Sequence, residues 1–153
     1  MNQQPRVRIQ VADFDVGQEL ATLRASDHRV GAVCSFVGTV RDTALAPVQS
    51  MELEHYPGMT EKALAEIVVE ARRRWQLLGV RVIHRVGRLS PGERIVFVAV
   101  SSSHRHDAFA ACEFIMDYLK TRAPFWKKER FGDGRAEWVE ARAEDDSARD
   151  KWN

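Results

Sequence analysis

Alternation of apolar and polar residues predicts several short strands along the chain. Residues 7–11, 51–55 and 80–86 alternate with a period of two, which is typical of strands with one buried face. Two other segments are nearly continuous in β-branched and apolar residues, which favours strands buried on both faces. Strands are therefore predicted at 7–11, 31–40, 51–55, 80–86, 95–100 and 137–139.

Apolar residues spaced by three and four predict three helices. The clearest covers residues 64–78 and stops before Gly79, and a shorter one covers residues 16–23. The last begins within 103–107 and ends at Pro124, because the residue before a proline is pushed out of the helical region.

The remaining segments are predicted to be irregular. The stretches 41–47 and 125–134 show no clear periodicity and are expected to be loops, and the charged tail 143–153 is expected to fray. Hairpin-like strand pairs mixed with long helices indicate an α+β fold with a largely antiparallel sheet and flanking helices. No repeat or linker divides the chain, so 1–153 is interpreted as one domain with a core at about 7–142.

Composition narrows the function classes. The chain has 153 residues, 44% hydrophobic and 29% charged, as expected of a globular protein, and its net charge of +1 provides no global field for nucleic acid or an anionic membrane. It lacks a signal-peptide pattern and a stretch of about 20 apolar residues, so a cytoplasmic location is expected. Cys34 and Cys112 are expected to be free thiols, because their spacing supports neither a disulfide nor a metal pair.

Arg41 is the first candidate for chemistry, because it follows a buried strand that contains Gly38. Glycine weakens a strand interior and often marks the close approach of a ligand or of another backbone. A bulge followed by a solvated arginine explains the pattern equally well, and both interpretations stay open at this point.

His104, Arg105 and His106 open the last predicted helix. Free N–H groups and the helix dipole make such a terminus a good anion site, whereas cationic side chains there are unfavourable to the helix itself. This local cost favours a functional role. A metal site based on His104 and His106 lacks a third and a fourth ligand at usable spacing.

A group of lysines surrounds the end of the same helix. Lys120 lies in its last turn, and Lys127 and Lys128 follow Pro124 together with aromatic residues that can hold them near Lys120. Two ammonium groups held close together depress each other's pKa, which makes one usable near neutral pH. The alternative is an ordinary solvated run of charges. A nucleic-acid interface on this single patch is disfavoured by the net charge near zero.

Several stretches of the chain resemble the catalytic, or large, subunit of molybdopterin synthase, known as the MoaE family. The resemblance covers about residues 10–142 and includes nearly every predicted element. Its motifs are Glu54–Leu64, Ile83–Gly87, Pro91-Gly92-Glu93, Phe114–Glu129, Trp138–Arg142 and the pattern Phe36-X-Gly38-X-Val40-Arg41.

The resemblance implies an α/β-hammerhead fold and a homodimer. Each subunit of this family carries a small ubiquitin-like (MoaD-like) partner, which gives a heterotetramer. The C-terminal Gly-Gly thiocarboxylate of the partner donates sulfur to cyclic pyranopterin monophosphate, and two transfers build the dithiolene of molybdopterin. No metal or organic cofactor is expected. The alternative is a non-catalytic module that only binds the ubiquitin-like partner, which would not need both Lys120 and Lys127.

The resemblance also implies roles for individual residues. Lys120 corresponds to the catalytic lysine beside the partner's terminus, and Lys127 to a second essential lysine. Arg142 corresponds to an arginine expected to reach the pocket across the dimer interface. Thr39 stands where the family often has lysine, so only its backbone is expected to contribute, and the loop 42–48 departs from the family pattern. The expected substrate-binding residues are Thr39, Val40, Arg41, His104, Arg105, Lys128, Glu129 and Arg142.

Overall fold

The computed structural model describes residues 6–25, 27–42, 48–131, 134–139 and 143–153. Helices are interspersed among runs of one to three strands, in the mixed order expected of an α+β protein. The elements are β1 (Val7–Gln10), α1 (Val16–Arg24), β2 (Ala32–Thr39), β3 (Val48–His55), α2 (Met59–Arg74), β4 (Gly79–Arg85), β5 (Gly87–Leu89), β6 (Arg94–Ser102), α3 (Arg105–Arg122), β7 (Phe125–Phe131), β8 (Ala136–Val139) and α4 (Ala143–Asp150).

The strands form two four-stranded sheets. The first has the order β1-β4-β6-β2, and the second has the order β5-β3-β7-β8. Only the β1–β4 pair is parallel among the described pairings, so the predicted largely antiparallel α+β fold is confirmed. In the first sheet β2 is an edge strand, whereas β4 and β6 are central and buried along nearly their whole length.

Helices cover both faces of the first sheet. α1 packs on one face, where Phe14 and Phe97 belong to a small apolar cluster. α2 and α3 pack on the other face against the main core, and α2 buries Leu64, Ile67, Val68 and Ala71 at the spacing of one helical stripe. Among the described helices, none has the length and apolar character needed to cross a membrane.

The prediction of a loop at 125–134 is wrong, because most of this segment is strand β7. It pairs antiparallel with β3, from His55↔Phe125 to Val48↔Phe131, and with β8 on its other side. Charged residues occupy both faces of the strand and obscure the two-residue alternation. Its strand conformation is determined by backbone pairing with its neighbours, which cannot be recognised from the polarity of its side chains.

The expectation of a frayed tail is also wrong. Residues 143–150 form α4, and Trp152 packs edge-on against Trp75 and Phe114 with ring centroids 5.5 and 5.6 Å apart. The Trp152 indole also donates a hydrogen bond to Asp117 at 2.6 Å. One apolar residue therefore anchors a segment whose average composition is charged.

Candidate active site

The two ends of α3 carry the two groups of predicted site residues. β6 passes into α3 through residues 103 and 104 only, so the helix turns back over the sheet. Lys120 lies fifteen positions after Arg105 in α3, which places their Cα atoms about 22 Å apart at 1.5 Å per residue. Within one chain, His104 and Arg105 therefore cannot share a pocket with Lys120.

The end of α3 that carries Lys120 contains what we call the lysine cluster: Lys120, Lys127 and His84. The His84 ring stacks on Phe125, with centroids 3.8 Å apart and planes inclined by 18°. Lys127 lies two residues after Phe125 and hence on the same face of β7. The charges of Lys120 and Lys127 both contribute to lowering the pKa of His84.

His84 is uncharged in this environment. Burial is the main reason why its pKa falls from 6.5 to about 3; the Arg85 carbonyl opposes the change, and the charges of Lys120, Lys127 and His55 add to it. The Nδ1 atom lies 2.7 Å from the Arg85 carbonyl oxygen. A carbonyl oxygen only accepts hydrogen bonds, so Nδ1 carries the proton and Nε2 keeps its lone pair.

Thr60 holds the start of β7 in place. Its side chain is fully buried, and its hydroxyl donates to the Pro124 carbonyl at 3.0 Å while accepting from the Tyr56 backbone N–H at 3.0 Å. These two bonds tie the turn before α2 to the residue before Phe125. The position of Lys127 thus depends on a buried hydroxyl far from it in sequence.

Arg41 lies at the same end of the first sheet as His84. Thr39 pairs with Arg94 and His84 with Val96, so both are near the start of β6. Arg41 and Thr39 are exposed. The backbone of Val40 is already occupied, because its N–H donates to Glu93 at 2.9 Å and its carbonyl accepts from Gly92 at 2.8 Å.

Gly38 is explained by packing and by a bulge. The β2–β6 register shifts between Gly38 and Thr39. A Cβ at Gly38 would lie 2.7 Å from Cγ1 of Val96, closer than side-chain atoms can approach. The bulge and the close packing on Val96 therefore account for this glycine, and the role of Arg41 stays a prediction.

His104 and Arg105 lie at the opposite end of the sheet, where Ala32 pairs with Ser102. Both side chains are exposed, and the N-cap residue His104 makes no side-chain capping hydrogen bond. The helix start packs closely on Gly31, where a Cβ would lie 2.2 Å from the Ser103 carbonyl oxygen. In the described residues, no three His, Cys, Asp or Glu side chains gather to hold a metal.

Two other predicted site residues, Lys128 and Glu129, lie on β7 in the second sheet. Lys128 points away from Lys127, and its ammonium lies 5.5 Å from the centre of the Trp138 ring. Glu129 shares the face of Lys127 and pairs with Met51 across the sheet. Arg142 and residues 43–47 lie outside the described residues.

The sequence analysis missed three residues of this region, although each lies within a motif that carries the resemblance: His55, Thr60 and His84. For His84 a signal was present, because it continues the alternation of Val80 and Val82 and so belongs to their buried face. A histidine there needs a partner for its polar atoms.

A separate surface depression of about 130 Å³ lies between α2 and α3. Its lining includes Glu66 and Glu70, which do not suit an anionic ligand. The lysine cluster matches the chemistry expected from the sequence better than this depression does.

Comparisons with known proteins agree with the fold and identify the family. Residues 9–122 match the family described as MoaE protein. The molybdopterin synthase catalytic subunit of Ralstonia nicotianae is 60% identical over 149 residues, which are 97% of this chain and 84% of that protein. The solved MoaE protein of Burkholderia ambifaria is 58% identical with a TM-score of 0.83, covering 97% of this chain and 98% of that one. Molybdopterin synthase from Staphylococcus aureus is 32% identical with a TM-score of 0.82, covering 90% and 99%. The chain belongs to the MoaE family.

Proposed function

We propose that this chain is the catalytic subunit of a molybdopterin synthase. It transfers sulfur from the C-terminal thiocarboxylate of a small ubiquitin-like partner to cyclic pyranopterin monophosphate. The observation that carries the proposal is the lysine cluster of a MoaE-family chain. Lys127 lies on the face of β7 whose Phe125 stacks on the buried His84, and the charges of Lys120 and Lys127 both contribute to lowering the pKa of that histidine.

The charges of the cluster suit this reaction. The substrate carries a cyclic phosphate, and the partner's tail ends in a second anion. Lys120 and Lys127 can balance the thiocarboxylate charge and exchange protons with the reacting groups. The thiocarboxylate sulfur displaces an oxygen substituent from a side-chain carbon of the pterin, which gives a thioester between the partner and the pterin. Water then hydrolyses this thioester, so the sulfur stays on the pterin and the partner leaves as a carboxylate. A second partner molecule repeats the transfer to complete the dithiolene.

A homodimer explains how His104 and Arg105 join the site. Arg41 lies nine residues beyond Ala32, about 30 Å along an extended strand, so the two ends of β2 are far apart. β2 is an edge strand that exposes Phe36 and Val37. Antiparallel pairing of β2 with β2 of a second copy brings His104 and Arg105 of one protomer to the lysine cluster of the other.

We also propose that the reaction takes place in the cytoplasm. Cys34 and Cys112 are both free thiols, and the Cys112 thiol donates to the Val98 carbonyl at 3.9 Å. Free thiols are typical of a reducing compartment. Burial also raises the pKa of Cys112. We assign no cofactor to the chain.

Reconstitution tests the proposed function. The purified chain is mixed with a thiocarboxylated partner and cyclic pyranopterin monophosphate, and molybdopterin is measured. The control uses the same partner ending in a carboxylate, and only the thiocarboxylated partner is expected to support synthesis. Stable binding of the partner without molybdopterin would instead favour the non-catalytic binding module.

A further inference from the structure

Arg85 is a buried arginine whose hydrogen-bond partners come from two other segments of the chain. Its exposed fraction is 7%, and it follows His84 at the end of β4. The guanidinium donates through Nε to the Val11 carbonyl at 3.1 Å and through Nη1 to the Arg94 carbonyl at 3.0 Å. Because the guanidinium is a rigid fork of donors, it fixes the two carbonyls relative to each other.

Carboxylates lie beside the same guanidinium. Oxygens of Glu93 and Asp13 are 3.6 and 3.9 Å from its Nη1 atom. The second carboxylate oxygen of Glu93 accepts from the Ser90 backbone N–H at 2.5 Å. The buried charge of Arg85 is therefore balanced, and the contact with Glu93 connects it to the turn of residues 90–93.

This turn holds the residue that follows β2. The Val40 N–H donates to the Glu93 carbonyl at 2.9 Å, and the Val40 carbonyl accepts from the Gly92 N–H at 2.8 Å. Val40 is buried, whereas the next residue, Arg41, is exposed. Because both backbone groups of Val40 are held, the point from which the Arg41 side chain leaves the sheet is also defined.

We propose that Arg85 is a positioning residue of the substrate site: it fixes the 90–93 turn, the turn holds Val40, and Arg41 is thereby directed towards the phosphate of the pterin. The part that concerns the pterin rests on the proposed function. The geometric part, in which Arg85 orders the backbone hydrogen bonds of Val40, does not.

Arg81 provides a matched control on the same strand. It lies four residues before Arg85, hence on the same face of β4, and its exposed fraction is 6%. Its Nε lies 3.2 Å from a carboxylate oxygen of Glu19, which belongs to α1. Loss of either buried arginine lowers the free energy of unfolding, but the contact with Glu19 leads to α1 and not to the 90–93 turn.

Binding of the pterin tests the positioning role. Arg85→Met keeps an extended side chain but removes the fork, and Arg85→Lys keeps the charge. In titrations of the full chain with cyclic pyranopterin monophosphate, we expect Arg85→Met to weaken binding about 3- to 10-fold and Arg85→Lys to weaken it less. In the reconstituted assay, KM for the pterin should rise while kcat changes little. Arg81→Met, compared at equal folded fraction, should bind as the parent does.

A double-mutant cycle shows whether Arg85 acts through Arg41. If the turn positions Arg41, Arg85→Met should weaken binding little further in a chain that already carries Arg41→Ala. Additive losses, or equal losses in Arg85→Met and Arg81→Met, would overturn the inference. Binding by Arg85→Met as tight as that of the parent would overturn it as well.

Hydrogen exchange on the full chain tests the geometry without the pterin. The Val40 and Gly92 amides donate the two hydrogen bonds. Relative to the central amides of β6, we expect both to exchange about tenfold faster in Arg85→Met than in the parent or in Arg81→Met. A parent that binds no pterin would refute the proposed function, and the exchange rates would still decide the geometric part. Unchanged exchange of both amides in Arg85→Met would refute the inference.

Discussion

The two ends of α3 differ in how far the chain prepares them for chemistry. At the Lys120 end, a buried histidine, a stacked phenylalanine and a buried threonine hydroxyl fix the surroundings of the lysines. At the other end, His104 and Arg105 are exposed, and the helix start is shaped by the backbone contact of Gly31 with Ser103.

This difference indicates that the two ends of α3 have different roles. Groups that take part in the transfer need a geometry fixed within one protomer, because small displacements are costly in rate. Groups that bind a phosphate can be supplied from a surface that another copy covers. In the proposed dimer, we therefore expect the exposed end to contribute to the site only after assembly.

The largest effect is expected from Lys120→Ala. Loss of one charge-stabilising donor from an active site typically lowers turnover on the order of 100- to 1,000-fold, while folding and partner binding should be nearly unchanged. Molybdopterin formation in the reconstituted assay measures the effect. Lys62→Ala is the matched control, and turnover near the parental rate in Lys120→Ala would remove this lysine from the mechanism.

Arg41→Ala should weaken binding of the precursor. A charge-assisted bond to phosphate contributes about 1.5 to 3 kcal/mol, which corresponds to roughly 10- to 150-fold in affinity. Calorimetric titration at two salt concentrations measures this loss. Arg73→Ala is the control, because Arg73 is engaged with Glu70 on the exposed side of α2. Equal losses in the two variants would place the pocket elsewhere.

Thr60→Val should destabilise the Lys120 end of the molecule. The variant leaves the Tyr56 N–H and the Pro124 carbonyl without their partner, at a cost of about 1 to 3 kcal/mol in the free energy of unfolding. Urea denaturation measures the change, and Thr60→Ser should recover most of it. If Thr60→Val is as stable as the parent, the hydroxyl does not hold β7.

The smallest effect concerns the pH dependence of stability. The pKa of His84 is about 3 in the folded chain, whereas its ordinary value is 6.5. Its contribution to the free energy of unfolding is therefore fully present above pH 6.5 and is lost as pH falls towards 3, because only the unfolded chain binds the proton in this range. Between about pH 7.5 and about pH 5.5 the parent should lose about 1 kcal/mol more stability than His84→Phe. Parallel losses in urea denaturation would mean that His84 is not buried in its neutral form.

The sequence predicted the α+β fold and most elements, because alternation and helical stripes are local signals. β7 was not predicted, because its charged residues occupy both faces and hide the alternation typical of a strand. Its strand conformation depends on pairing with β3. α4 escaped prediction because Trp152 anchors it through contacts with Trp75 and Phe114, which are distant in sequence.

The site was predictable as a set of residue types, but its spatial grouping was not. Lys120 and Lys127 are close in sequence and flank a turn, so their proximity could be inferred. The sequence placed His104, Arg105 and Arg41 at element ends but could not tell which end of the sheet each occupies. That requires the β2–β6 register, which puts Ala32 and Thr39 at opposite ends.

Mixed dimers test the central claim that the lysine cluster of one protomer works with His104 and Arg105 of the other. One protomer carries Lys120→Ala, the second carries His104→Ala together with Arg105→Ala, and each homodimer alone should be nearly inactive. In a mixed dimer one site has both lesions and the other has neither. Random pairing should therefore restore about one quarter of the parental molybdopterin activity. If the groups act within one protomer, mixing restores nothing, and that result would contradict the account.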